Sequence, residues 1–159
     1  QLIARLPFIW PVINTPIPFG GTPLYDRYLE EGRVLETMPF SFYKSPYLPT
    51  ILKNYHPCDY YEKWIDMLAW QVSPNIFMKQ MSDPGSFAQK SLRAIRTLAA
   101  RHQLFQLRRI KNRMKHDPAL QKFHGGRNQD IPGLYQNLYR QRLGRYANLM
   151  TDQDMNPRL

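Results

Sequence analysis

The apolar residues of this chain change their spacing along its length. Phe8, Ile9, Trp10, Val12 and Ile13 form a short β-branched and aromatic run between prolines, the pattern of a strand buried on both faces. Pro11 restricts it to an edge strand or the last strand of an incomplete sheet. In Asn14-Thr15-Pro16-Ile17-Pro18-Phe19-Gly20-Gly21 the prolines enforce extended geometry and the glycines permit positive φ, which predicts a strand-to-helix loop. Thr22 as N-cap and Pro23 at the first helical position then start a helix that carries Leu24, Tyr28 and Leu29 inward and stops at Gly32. Further on, Tyr61, Ile65, Leu68 and Val72 form the apolar stripe of another helix.

Beyond the turn signal Ser82-Asp83-Pro84-Gly85 the period becomes helical throughout. Phe87, Leu92, Ile95, Leu98, Phe105, Leu107, Ile110 and Met114 recur with no proline until Pro118, which predicts one long helix or two broken near His102. His102, among apolar neighbours, is expected as a core histidine. Gly125-Gly126 reads as a hinge. A last helix over about 132–150 is expected to bury Leu134, Leu138, Leu143, Tyr146 and Leu149 and to expose Arg140, Arg142 and Arg145. Gly144 weakens its middle by about 1 kcal/mol relative to Ala, which predicts close packing there. Residues 151–159 read as a frayed tail. The fold class is therefore mostly α with a small β part.

Composition narrows the chemistry. With 159 residues the chain is one domain or a piece of a larger protein. It opens on an apolar stretch with no Met and no charged leader, as expected of a piece cut from something longer. Its single cysteine, Cys58, supplies neither a disulfide framework nor the several thiolates of a zinc-thiolate or iron-sulfur site, and a cytoplasmic location is expected. Residues 6–25 carry no charge, a length that could span a bilayer. Their five prolines and two glycines break any continuous helix, so no membrane span is expected.

The net charge of +10 is uneven. Residues 1–84 hold 7 Lys+Arg against 8 Asp+Glu, and residues 85–159 hold 15 against 4. Eleven of the 14 prolines precede residue 85, so charge and proline content both place an internal boundary there.

The segment Thr15-Pro16-Ile17-Pro18-Phe19-Gly20-Gly21-Thr22-Pro23-Leu24-Tyr25-Asp26-Arg27-Tyr28-Leu29-Glu30-Glu31-Gly32-Arg33-Val34-Leu35 resembles the one that closes the catalytic barrel of radical SAM enzymes, especially the group that often carries a cobalamin-binding domain. The shared order is a strand, a proline loop, a GTPLY helix start, an acidic-basic helix and a GR followed by an apolar pair. Residues 40–70 resemble that group's post-barrel extension, in which a short strand, here 47–52, leads to a helix. The resemblance implies that 1–35 are the last strand and helix of a partial (β/α) barrel and 36–84 the post-barrel extension, while charge and helical spacing make 85–159 a basic helical C-terminal module. The resemblance places Asn14, Thr15 and Pro16 nearest S-adenosylmethionine, and Ile17, Pro18, Phe19, Gly20 and Gly21 on the substrate side; Tyr43 and Tyr47, which precede the predicted helix in loop or strand, are the candidates to join them if any of the chain's many aromatic rings line a pocket. The family's CxxxCxxC triad is absent, so the piece alone is expected to be inactive. The iron-sulfur cluster, and cobalamin if used, would belong to the upstream barrel of the same parent chain, which acts on an unidentified small-molecule or macromolecular substrate.

Other constellations are read as structural. Asp59, Glu62 and Asp66 have helical spacing but fall outside the apolar stripe, and Lys63 is placed to pair with Asp59. His56 and Cys58 at the same helix entry are expected as a capping histidine and a half-buried thiol. His116 and His124 have no metal spacing. Arg108, Arg109, Lys111, Arg113 and Lys115 crowd one helix end, where they complement the dipole or bind phosphate. They carry the opposing reading, a non-enzymatic basic helical adaptor for nucleic acid or an acidic partner.

Overall fold

The computed structural model describes residues 16–149; the expected strand at 8–13, the positions Asn14 and Thr15, and the tail at 151–159 lie outside them. Within these residues the chain is mostly helical, as expected, and no strand occurs among them. The segment 47–52, expected as a strand, pairs through a single antiparallel bridge between Val34 and Thr50. The Leu35 N–H donates to the Pro49 carbonyl at 3.1 Å and the Ile51 N–H to the Arg33 carbonyl at 2.7 Å. Among the described residues the β part is this one bridge, and no barrel sheet is present. Pro46 precedes the run and Pro49 lies inside it, and neither has an N–H to extend a ladder.

Helix α1, Pro23–Glu30, begins as expected with Thr22 as N-cap. It ends in a Schellman turn at Gly32, whose φ is +64°: the Arg33 N–H reaches the Tyr28 carbonyl at 2.8 Å and the Gly32 N–H the Leu29 carbonyl at 2.9 Å. The expected inward residues are not buried, for α1 has no buried residue and Leu29 is 42% exposed. Its amphipathic pattern is real, but no described element covers its apolar side.

Helix α2, Pro57–Gln71, buries Tyr61, Trp64, Ile65 and Leu68. Helix α3, Pro74–Ser82, follows, and then α4, Phe87–His116, one unbroken helix of 30 residues. A capping box between Ser86 and Gln89 opens α4, and Arg113, Lys115 and His116 end it, where positive charge meets the dipole. Its buried face is Thr97, Ala100, Leu104, Leu107, Ile110 and Met114, three or four apart. That face packs on α2, and Lys111 of α4 pairs with Glu62 of α2 at 2.6 Å. Lys63, expected beside Asp59, instead lies over the Tyr55 ring.

Five apolar residues of α4 behave against expectation. Phe87, Leu92, Ile95, Leu98 and Phe105 are exposed. Apolar residues wind around both sides of this helix, and only the side that meets α2, α3 and α5 is covered. His102, expected in the core, is also exposed and lies 2.7 Å from the Gln106 carboxamide.

Asp117 caps α5, Pro118–His124, by accepting from the Ala119 and Leu120 N–H groups. Gly125-Gly126 then forms a turn, with φ +70° at Gly126. The last helix is shorter than expected: α6 covers Gly133–Leu143, and a 3-10 segment occupies Gly144–Leu149. Gly144 takes φ +54°, and a β-carbon there would meet no atom within 4 Å, so it serves a backbone turn and not close packing. With the helix ended there, Tyr146 and Leu149 are exposed. Leu134, Leu138 and Leu143 are half-buried.

The core is aromatic. Phe42, in the 3-10 turn Phe40–Phe42, is fully buried against Tyr47 and Tyr135, with ring centroids 4.8 and 5.1 Å away. The Tyr61 hydroxyl donates to the Pro46 carbonyl at 2.9 Å. No helix among the described residues is long and apolar enough to cross a membrane.

Candidate functional site

The proline elbow enters the described structure at Pro16, which is exposed. Ile17 packs against the core, Pro18 is fully buried, and Phe19, Gly20 and Gly21 are exposed. The chain thus anchors through 17 and 18 and presents 19–21 outward. Gly21 has φ +79°, a conformation that β-carbons disfavour, which turns the chain into α1. The Thr22 hydroxyl fixes this corner, donating to the Phe19 carbonyl at 2.6 Å and accepting from the Tyr25 N–H at 3.3 Å.

Tyr43 joins the elbow through an intermediate ring. Phe19 meets Phe40 edge-on at 6.0 Å, and Phe40 stacks on Tyr43 at 5.3 Å. Tyr43 is buried, its hydroxyl has no hydrogen-bond partner among the described residues, and burial pushes its phenol up to about 12. It stays protonated at neutral pH and can donate a hydrogen bond.

Tyr47 belongs to a different group. Its hydroxyl accepts from Arg142 Nη2 at 3.0 Å, while Arg142 Nη1 donates to the Ser41 carbonyl at 2.9 Å. The guanidinium lies over the Phe42 and Tyr47 rings at 4.5 and 5.2 Å, so one arginine ties α6 to the segment 41–47 by hydrogen bonds and cation–π contact. Tyr47 also lines a cavity of about 270 Å³ between α4 and α6. The two tyrosines expected on one substrate side therefore serve two clusters, one at the elbow and one at this cavity.

The residues at the entry to α2 stand as expected. His56 Nδ1 accepts from the Cys58 N–H at 3.3 Å as the helix cap. Burial, with Asp59 adding, raises the pKa of the half-buried Cys58 thiol. Asp59, Glu62 and Asp66 are exposed, and Lys111 holds the Glu62 carboxyl below its ordinary value. No three of His, Cys, Asp and Glu come together among the described residues.

His124 is buried between Phe123 and Tyr135, with Nε2 2.7 Å from the Tyr135 hydroxyl. Desolvation lowers its pKa to about 4, and burial raises that of Tyr135, so both are neutral at pH 7. The pair locks α5 to α6.

The clamp made by Arg142, the cavity and the His124–Tyr135 pair are not apparent from sequence. The spacings Arg109/Arg113 and Asn137/Gln141, each one helical turn, were the available signal for the cavity, but spacing on two helices does not reveal that they face each other. Compared with known proteins, the chain matches no family model, no curated protein and no solved structure.

Proposed function

We propose that this chain is the C-terminal part of a cytoplasmic radical SAM enzyme, in which the part up to about residue 84 closes the active-site cavity, with the proline elbow at its rim, and residues 85–159 form a basic helical module. The observation that carries the reading is the ordered run over 15–35, from proline elbow through the GTPLY helix start to Gly32-Arg33. The unburied apolar side of α1 supports it, because Leu24, Tyr28 and Leu29 form a helical face that no described helix buries, as expected of a helix that packs on upstream barrel strands. The exposed 19–21 corner beside Tyr43 supports a substrate-side role for that loop.

The residues present do not fit an iron-sulfur cluster, since Cys58 is the only cysteine and its thiol is disfavoured as a thiolate. Cluster, reductive cleavage of S-adenosylmethionine and any cobalamin would therefore belong to the upstream chain, and this piece alone is inactive. The test is the coding sequence upstream of Gln1 together with anaerobic purification of the whole parent protein. Three closely spaced cysteines and S-adenosylmethionine-dependent formation of deoxyadenosine are expected; an upstream sequence without them overturns the proposal.

A second reading, a basic helical adaptor for nucleic acid or an acidic partner, is favoured by one observation. Phe87, Ile95, Leu98 and Phe105 are exposed along α4, in a helix that also carries Arg101, Arg108 and Arg109. Nucleic-acid binding that is tight at low salt and weakens steeply as salt rises is its expected signature; no binding at low salt removes nucleic acid as the partner.

A further inference from the structure

The cavity between α4 and α6 has a divided lining. Its mouth is polar: Arg109 and Arg113 stand one turn apart on α4, and Asn137 and Gln141 one turn apart on α6, all four exposed. Its floor is apolar: Tyr47 and Ile110 are buried, with Leu138 half-buried beside them. No acidic residue lines the cavity. The two ion pairs among the described residues are Arg33–Glu31 and Lys111–Glu62, so neither Arg109 nor Arg113 has a carboxylate to neutralise it there.

Two uncompensated guanidinium groups on adjacent turns offer a double set of forked donors, which suits an anion of two charges and three equivalent oxygens better than a single carboxylate. The carboxamides of Asn137 and Gln141 add neutral donors from the facing helix. The apolar floor has no use for an inorganic ion and calls for a carbon skeleton attached to it. A volume of about 270 Å³ falls just below the range of sites that enclose drug-sized ligands, so the occupant is small.

We infer that this cavity is a binding site for a small organic phosphate monoester, its phosphate held between Arg109 and Arg113 and its carbon part resting on Tyr47, Ile110 and Leu138. The inference goes beyond the proposed function. It needs nothing from an upstream cluster, so either can fail without the other.

Calorimetric titration of the 159-residue chain with phenyl phosphate and with inorganic phosphate tests it. Phenyl phosphate is expected to bind saturably and more tightly than inorganic phosphate. Arg109→Gln and Arg113→Gln should each weaken it by about tenfold or more, the loss of one charge-assisted pair. Asn137→Ala should weaken it less, and Arg108→Gln, a neighbouring cation outside the lining, should leave it unchanged. All four positions are exposed, and an unchanged thermal melt confirms that each variant is folded. Chemical-shift changes on phenyl phosphate addition should centre on Leu138 and the Asn137 side-chain amide. No saturable binding, equal affinity for the two phosphates, or an equal loss in Arg108→Gln overturns the inference.

Discussion

Residues 16–30 and residues 38–50 are built from similar material, three prolines each with three and four aromatic rings, yet they end in opposite environments. In the second segment Met38, Phe42, Tyr43, Tyr47, Leu48 and Thr50 are all buried, held by Tyr61 of α2 through Pro46 and by Arg142 of α6 through Ser41 and Tyr47. In the first, only Pro18 is buried and α1 has no buried residue. Prolines and rings supply stiffness and apolar area in both. What differs is the presence of a covering element among the described residues, so local composition sets the shape of a segment and tertiary partners decide whether it becomes core.

The contrast can be broken most directly at its buried end. Phe42→Ala empties a site enclosed by Tyr47 and Tyr135 and should cost about 3–5 kcal/mol in chemical denaturation. A loss below about 1 kcal/mol, the size of an ordinary surface change, would show that the 38–50 segment is not part of the packed core.

A pH titration sharpens the same contrast. His124 is neutral in the folded protein down to about 4, whereas in the unfolded chain it takes up a proton near its ordinary value of about 6.5. Between those values the unfolded state binds more protons, so the stability associated with a neutral His124 is complete above about pH 6.5 and is lost as pH falls toward 4, by about 3 kcal/mol. In His124→Gln this component is absent, so the stability difference between the two proteins should shrink from pH 7 to pH 4. A constant difference would show that the imidazole is not desolvated.

The smallest effects belong to the exposed segment. Thr22→Ala removes the cap of α1 and should cost that helix about 1 kcal/mol. Faster amide exchange confined to residues 26–30, with an unchanged global midpoint, is the expected readout. A global shift of the same size would mean that α1 is part of the core cooperative unit after all.

Much of the local architecture could be read directly from the residues. Thr22-Pro23, Ser82-Asp83-Pro84-Gly85 and the stripe Tyr61, Ile65, Leu68 and Val72 marked helix starts, breaks and a buried face, because caps, prolines and period act within a few residues of themselves. The failures share one cause. Leu29, Ile95, Leu98, Phe105, Tyr146 and Leu149 are apolar at helical spacing, and each would be buried if an element lay opposite; none of the described elements does. The segment 47–52 has the composition of a strand but finds only a one-residue bridge as partner. The proposed site was partly legible: the elbow's form at 17–22 follows from its prolines, glycines and Thr22, whereas the clamp of Arg142 on Tyr47 joins positions 95 residues apart, a separation that no local rule bridges.

Helix α4 has 30 residues without a break, and such a rod rises about 1.5 Å per residue. Ile95 and Arg109 are therefore about 21 Å apart along its axis, farther than any molecule small enough for the cavity can stretch. A large visitor gripping the greasy flank near Ile95 and a small anion in the crevice could thus sit on the same rod simultaneously, each at its own berth.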